Sequence, residues 1–104
     1  MNQTVIYEIT ALVCAELIEE YEKYMRERHI PDLLETGCFR GASFSRSSGN
    51  RYRVRYEALN QKALDNYLGN EAERLRADFL AHFPEGVELS REVWQVLHIW
   101  NPDA

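Results

Sequence analysis

Apolar and polar residues alternate with a period of two in some stretches of the chain and with a helical period in others. The clearest alternation runs from Arg51 to Ala58. Tyr52, Val54 and Tyr56 point one way and Arg51, Arg53, Arg55 and Glu57 the other, as side chains of an extended strand must. Val5, Tyr7 and Ile9 alternate with Ile6, Glu8 and Thr10 in the same way, which predicts a first strand over about Val5 to Leu12. Leu17, Tyr21, Tyr24 and Met25 recur at helical spacing and predict an amphipathic helix over about Ala15 to Arg28. Its early turns carry Glu16, Glu19 and Glu20 and its late ones Lys23, Arg26 and Arg28, which complements the helix dipole at both ends. Leu64, Tyr67, Leu68, Ala72, Leu75, Phe79 and Phe83 form the stripe of a second helix, from an N-cap at Asn60 to about His82. The stripe stays in phase across Gly69-Asn70, so one helix is predicted there. Phe39 to Arg46 and Val87 to Ile99 read as the remaining strands.

The breaks between these elements have local causes. Pro31 disfavours helical geometry at Ile30, so the first helix should end near His29. Pro31 can then open a short second turn that Gly37 terminates. Ser47-Ser48-Gly49-Asn50 should close a hairpin between the second and third strands, and Pro84-Glu85-Gly86 should stop the second helix. The order is βαββαβ, an α+β ferredoxin-like arrangement in one domain, residues 1–104. Right-handed crossovers put both helices on one face of a four-stranded antiparallel sheet. The other face would carry Glu8, Thr10, Arg53, Arg55 and Glu57 with apolar residues from the outer strands, and nothing in the chain covers it. A chain of this size buries only about two thirds of its unfolded surface. A homodimer covering the bare face, with an interface above about 1,000 Å², is therefore expected.

Charge sharpens the picture. The net charge is −5, yet Thr36 to Tyr56 holds five arginines (Arg40, Arg46, Arg51, Arg53, Arg55) and no acid, leaving a balance of −10 elsewhere. Such asymmetry creates a directional field that an anion or the protein's own acidic surface must meet. An acidic chain whose Tyr52 and Tyr56 lie on the more apolar strand face does not suit RNA recognition, although RNA-recognition domains share this order of elements. No apolar run approaches the roughly 20 residues of a membrane span. Met1-Asn2-Gln3-Thr4 lacks a basic leader region, and Cys14 and Cys38 read as reduced thiols, so a cytoplasmic protein is expected, with no nucleic-acid or membrane partner.

Candidate chemistry is sparse. His29 has the ordinary acid/base range of an imidazole and is the weak candidate for a catalytic group. Its alternative role is structural: at a helix end the ring can bond the last carbonyls, and His29→Ala should then cost about 1 kcal/mol. The arginine row on the third strand reads either as an anion clamp or as a salt-bridged sheet face with Glu8 and Glu57 as partners. Arg53, Arg55 and Glu8 are thus the candidate ligand-binding residues. His82 and His98 lack ligand spacing, so no metal site is assigned, and no Gly-rich phosphate loop or other cofactor motif appears. Trp94 and Trp100 are read as dimer contacts.

Several spaced pieces carry a resemblance: Val5-Ile6-Tyr7-Glu8-Ile9-Thr10, Met25 with His29-Ile30-Pro31, and Thr36-Gly37-Cys38-Phe39. Tyr52-Arg53-Val54-Arg55-Tyr56-Glu57-Ala58, Tyr67-Leu68 with Ala72 and Leu75-Arg76, and Ser90-Arg91-Glu92-Val93 extend it over nearly the whole chain. In these the chain resembles a bacterial domain-of-unknown-function family of short proteins with a dimeric ferredoxin-like, or dimeric α/β-barrel, fold. Family members often carry glutamine where Arg55 stands and histidine where Glu71 stands. The wider superfamily includes cofactor-independent monooxygenases, muconolactone isomerase-like enzymes and EthD-like proteins. The resemblance implies a homodimer that binds a small, partly apolar molecule, with or without catalysis on a small anionic or carbonyl compound. The alternative is a non-catalytic protein-interaction or regulatory module. A closed pocket with convergent polar groups separates the two.

Overall fold

A computed structural model of the chain describes residues 4–102. The strands are β1 (Val5–Val13), β2 (Phe39–Arg46), β3 (Arg51–Ala58) and β4 (Val87–Gln95), all antiparallel in the order β2-β3-β1-β4. The fold is the expected ferredoxin-like α+β arrangement. β1 and β3 are central, β2 and β4 are edges, and the helices pack on one face. The β3 alternation sets the register: Arg55 lies opposite Glu8 and Arg53 opposite Thr10, while Tyr56 pairs with Tyr7 and Val54 with Ile9. Arg53, Arg55 and Glu8 therefore share the open face, and Tyr52, Val54 and Tyr56 are buried under the helices. A bulge at Arg40 in β2 adds a residue without disturbing that register.

The first helical stretch departs from the sequence reading. A 3₁₀ turn (Ala15–Leu17) leads into α1 (Ile18–Tyr24), a π turn (Met25–His29) and α2 (Ile30–Glu35) without a break. His29 and Ile30 both have right-handed helical dihedrals, so the helix neither stops at His29 nor restarts at Pro31. The physical reason is the π turn. Ile30 N–H bonds the carbonyl of Met25, five residues back. The wider turn makes room for a proline ring that would clash within an ordinary α-helix. His29 is consequently an interior helix residue and caps nothing.

The second stretch is continuous, as the stripe predicts: α3 (Gln61–Asn66), a π turn (Tyr67–Glu71) and α4 (Ala72–His82). Asn60 caps it, its side-chain oxygen accepting from Ala63 N–H at 2.8 Å. Gly69-Asn70 falls inside the π turn. Gly86 turns the chain into β4 at φ +90°, a conformation that favours glycine, and a Cβ there would also displace Leu17 Cδ1, 2.6 Å away. β4 ends at Gln95, four residues short of the expected Ile99, and Val96 N–H then bonds the Thr4 carbonyl. Residues 96–101 carry no regular secondary structure, and Leu97, Ile99 and Trp100 are largely exposed.

Aromatic rings fill the core. Tyr21 from α1 meets Tyr52 at 5.0 Å, Phe83 at 5.9 Å, Phe44 at 6.1 Å and Phe79 at 6.3 Å between centroids. Tyr7, Phe39, Tyr56 and Tyr67 form a second group between sheet and α3–α4. Among the described residues, no helix is long and apolar enough to cross a membrane.

Candidate functional site

The helices cover β1 and β3 more fully than edge strand β4. A narrow pocket opens between them. Both π turns contribute to it: Met25 and His29 from the first, Tyr67 from the second. Insertions of this kind widen a helix locally and recur at functional sites. Ile9 and Tyr7 form the floor on β1, Leu89 and Arg91 the rim on β4, and Tyr21, Arg76 and Phe79 the helix side. Its cavity volume is only about 20 Å³, room for about one water.

Polar groups converge on this mainly apolar space. Arg76 Nη2 donates to Tyr7 Oη at 2.9 Å, which fixes the guanidinium, while its buried Nε has no partner among the described residues. Arg91 reaches the rim from the inward-facing register of β4, opposite Ile9. No acidic side chain lines the pocket, and the ion pairs among the described residues include neither Arg76 nor Arg91. Arg76 is half-buried and Arg91 exposed, and with no carboxylate lining the pocket this corner is net positive, which favours an anion. His29 lines the same space, is 8% exposed, and its Nδ1 is likewise partnerless among the described residues. Burial pushes its pKa down from 6.5 to about 4; Arg91 pushes the same way, against the pull of Asp32 and Asp78. The imidazole is therefore uncharged near neutrality. Desolvation raises the phenol of Tyr67 well above its usual range, so it is a neutral donor or acceptor there.

The other sequence candidates lie elsewhere. Glu8, Arg53 and Arg55 are together on the open sheet face, away from the pocket. Arg55 Nε stands 3.4 Å from Glu8 Oε1, an ion pair that lacks hydrogen-bond alignment. Glu57 pairs with Arg40 at 3.0 Å. Arg55 and Glu8 are thus ion-paired across β1 and β3. Arg53, in no ion pair among the described residues, lines an open hollow of about 440 Å³ with Glu8, Thr10, Ser45 and Arg51. His82 bonds the Asp78 backbone beside a Tyr24–Asp78–Arg28 cluster. Among the described residues, no three His, Cys, Asp or Glu side chains gather as a metal site would require. Arg76 and Arg91 stand in pieces that carry the family resemblance but were not among the candidate ligand residues. Their signal was available: Arg91 interrupts the inward series Val87, Leu89, Val93, and Arg76 flanks the stripe residues Ala72, Leu75 and Phe79.

The family model described as Domain of unknown function (DUF4286) matches residues 4–97. The chain belongs to this family. No curated protein matches the sequence. Among solved structures, this DUF4286 chain is similar to a conserved protein of unknown function from Bacteroides thetaiotaomicron, described as a possible oxidoreductase. The two share 13% identity and a TM-score of 0.71, over 92% of this chain and 100% of the other. MupZ from Pseudomonas fluorescens is similar at 20% identity and TM-score 0.69, over 89% of this chain and 68% of that one. A dimeric ferredoxin-like protein from an uncultured marine organism matches at 13% identity and TM-score 0.68, over 95% and 100%. At such identities the likeness concerns the fold alone, and it agrees with the ferredoxin-like topology read from the strands.

Proposed function

We propose that this DUF4286 protein is a cytoplasmic homodimer that binds a small molecule in the pocket between helices and sheet. The observation that carries the reading is the pair Arg76 and Arg91, without carboxylate partners among the described residues, facing a mainly apolar space beside a partnerless His29 nitrogen. Such a set suits a ligand with an acidic or carbonyl group and a partly apolar body. An enzymatic form of the reading needs no cofactor: neutral His29 would be the proton acceptor for a substrate held by the arginines.

Dimerisation is supported by what the chain leaves uncovered. Leu12 and Trp94 on the open sheet face are exposed, and so are Leu97, Ile99 and Trp100 beyond it. That face is also polarised, with Arg51, Arg53 and Arg55 on β3 and Glu88 and Glu92 on β4. A second copy related by a two-fold axis would set each row against its opposite. The similar fold of a dimeric marine protein is consistent with this.

The test is a thermal-shift screen of small carboxylates, phosphates and carbonyl compounds on protein whose mass is fixed by light scattering. We expect a dimer at micromolar concentration and stabilisation by carboxylates. Arg76→Gln should weaken the best hit by about 1.5–3 kcal/mol, the range for a hydrogen bond to a charged group. A monomer would refute the dimer. Hits unchanged by Arg76→Gln and abolished by Arg53→Gln would move the ligand to the open face. An absence of any hit would favour the non-catalytic interaction module.

A further inference from the structure

The open face of the sheet carries a pattern that the single chain does not explain. Its rows follow from the register. On one half, β2 presents Gly41, Ser43 and Ser45, and β3 beside it presents Arg51, Arg53 and Arg55. On the other half stand Glu8 of β1 and Glu88, Glu92 and Trp94 of β4. One half is thus a shelf of small residues beside a basic row. The other is acidic and ends in the largest side chain of the face, Trp94, which is 46% exposed. Gly41 has no cause within the chain. Its φ is not in the left-handed region, and a Cβ there would meet no atom within 4 Å beyond its chain neighbours. Glycine weakens a strand interior and often marks a place that another group approaches closely.

Resting on the dimer reading above, we propose that a second copy of this chain docks on this face about a two-fold axis parallel to the strands, with Trp94 of each copy seated over Gly41 of the other. Two limiting axes stack the sheets face to face. An axis across the strands lays each strand on its own copy, so the arginines of β3 meet themselves and so do Glu88 and Glu92, which is repulsive. An axis along the strands, through the middle of the sheet, reverses the strand order and keeps each residue at its level. β3 then lies over β1 of the partner subunit and β4 over β2, so the basic half meets the acidic half and no row meets itself. The register fixes the levels. Trp94 is aligned with Ile6, Glu57 and Gly41, and Glu92 with Glu8, Arg55 and Ser43. Trp94 therefore faces Gly41, and Glu92 faces Ser43 beside Arg55, which gains a second carboxylate. Facing sheets stand about 10 Å apart, and an indole fits across that gap where the opposite position has no side chain.

Sedimentation equilibrium of the intact protein tests this by exchanging the large and the small partner. Gly41→Trp sets an indole against an indole, and Trp94→Ala empties the contact. Each change occurs twice per dimer and should weaken dimerisation by about tenfold or more. Circular dichroism should show both variants folded, because Gly41 faces open space on an edge strand and Trp94 is half exposed. The combined variant Gly41→Trp/Trp94→Ala restores one large and one small partner at each contact and should recover most of the natural affinity. Should the larger ring disturb the edge of β2, Gly41→Leu with Trp94→Ala reads the same pairing. A dimer indifferent to Gly41→Trp, or weakened by it without recovery in the combined variant, would overturn the pairing and leave the dimer itself standing. A natural protein that is monomeric at micromolar concentration would overturn both.

Discussion

Lowering the pH from 7 to 4.5 is expected to cost this protein about 2.5 kcal/mol of stability through His29 alone. Burial holds the folded-state pKa of His29 near 4, below its ordinary 6.5, so the unfolded chain binds the extra proton first. The contribution is fully present above pH 6.5. It declines as the pH falls and is exhausted once the folded form also titrates near 4. Asp78 contributes in the same sense, because the bond from Tyr24 lowers its carboxyl pKa. Its window, however, lies below its ordinary 3.8 and does not overlap. His29→Phe removes the titrating group and keeps an aromatic ring against Tyr24 and Phe79, which lie 5.8 and 5.5 Å from the imidazole. Urea unfolding at pH 7 and pH 4.5 should show a large loss in the natural protein and a much smaller one in the variant. Equal losses in both would mean that His29 is not held neutral by burial.

Tyr21→Ala should be among the most damaging single substitutions, at about 3–5 kcal/mol. Tyr21 is 1% exposed and touches rings from β2, β3 and α4 together with Phe83, so its removal opens a cavity that no single neighbour can fill. For a domain of this size that corresponds to a fall in melting temperature of about 12 °C or more. Tyr21→Phe, which keeps the ring, should stay within about 1 kcal/mol of the natural protein. Thermal unfolding followed by circular dichroism checks both. A small effect of Tyr21→Ala would show that α1 is not anchored through this cluster.

Most of the fold was legible because its elements are amphipathic at short range. The β3 alternation alone puts Arg53 and Arg55 on one face and Tyr56 on the other, and Asn60 marks its helix start by a hydrogen bond within three residues. The continuous helix through Pro31 was not legible. Whether a proline ends a helix depends on whether the preceding turn can widen, and packing of the Met25 and His29 side chains, both buried, decides that. The reading of His29 as a cap failed for the same reason. The pocket was only partly legible. A closed pocket was one of two readings, and the cations that line it come from α4 and β4, far apart in sequence. The conspicuous arginines of β3 drew attention to the open face, where Arg55 is neutralised by Glu8.

Two arginine pairs, one in the pocket and one on the sheet face, thus compete for the role of anion site, and one measurement separates them. It is an acetate titration followed through the arginine Nε–H resonances by nuclear magnetic resonance. The account predicts saturable shifts at Arg76, whose buried Nε lacks a partner among the described residues, and at Arg91, with Arg53 and Arg55 unmoved. Saturable shifts at Arg53 and Arg55 with Arg76 silent would contradict it.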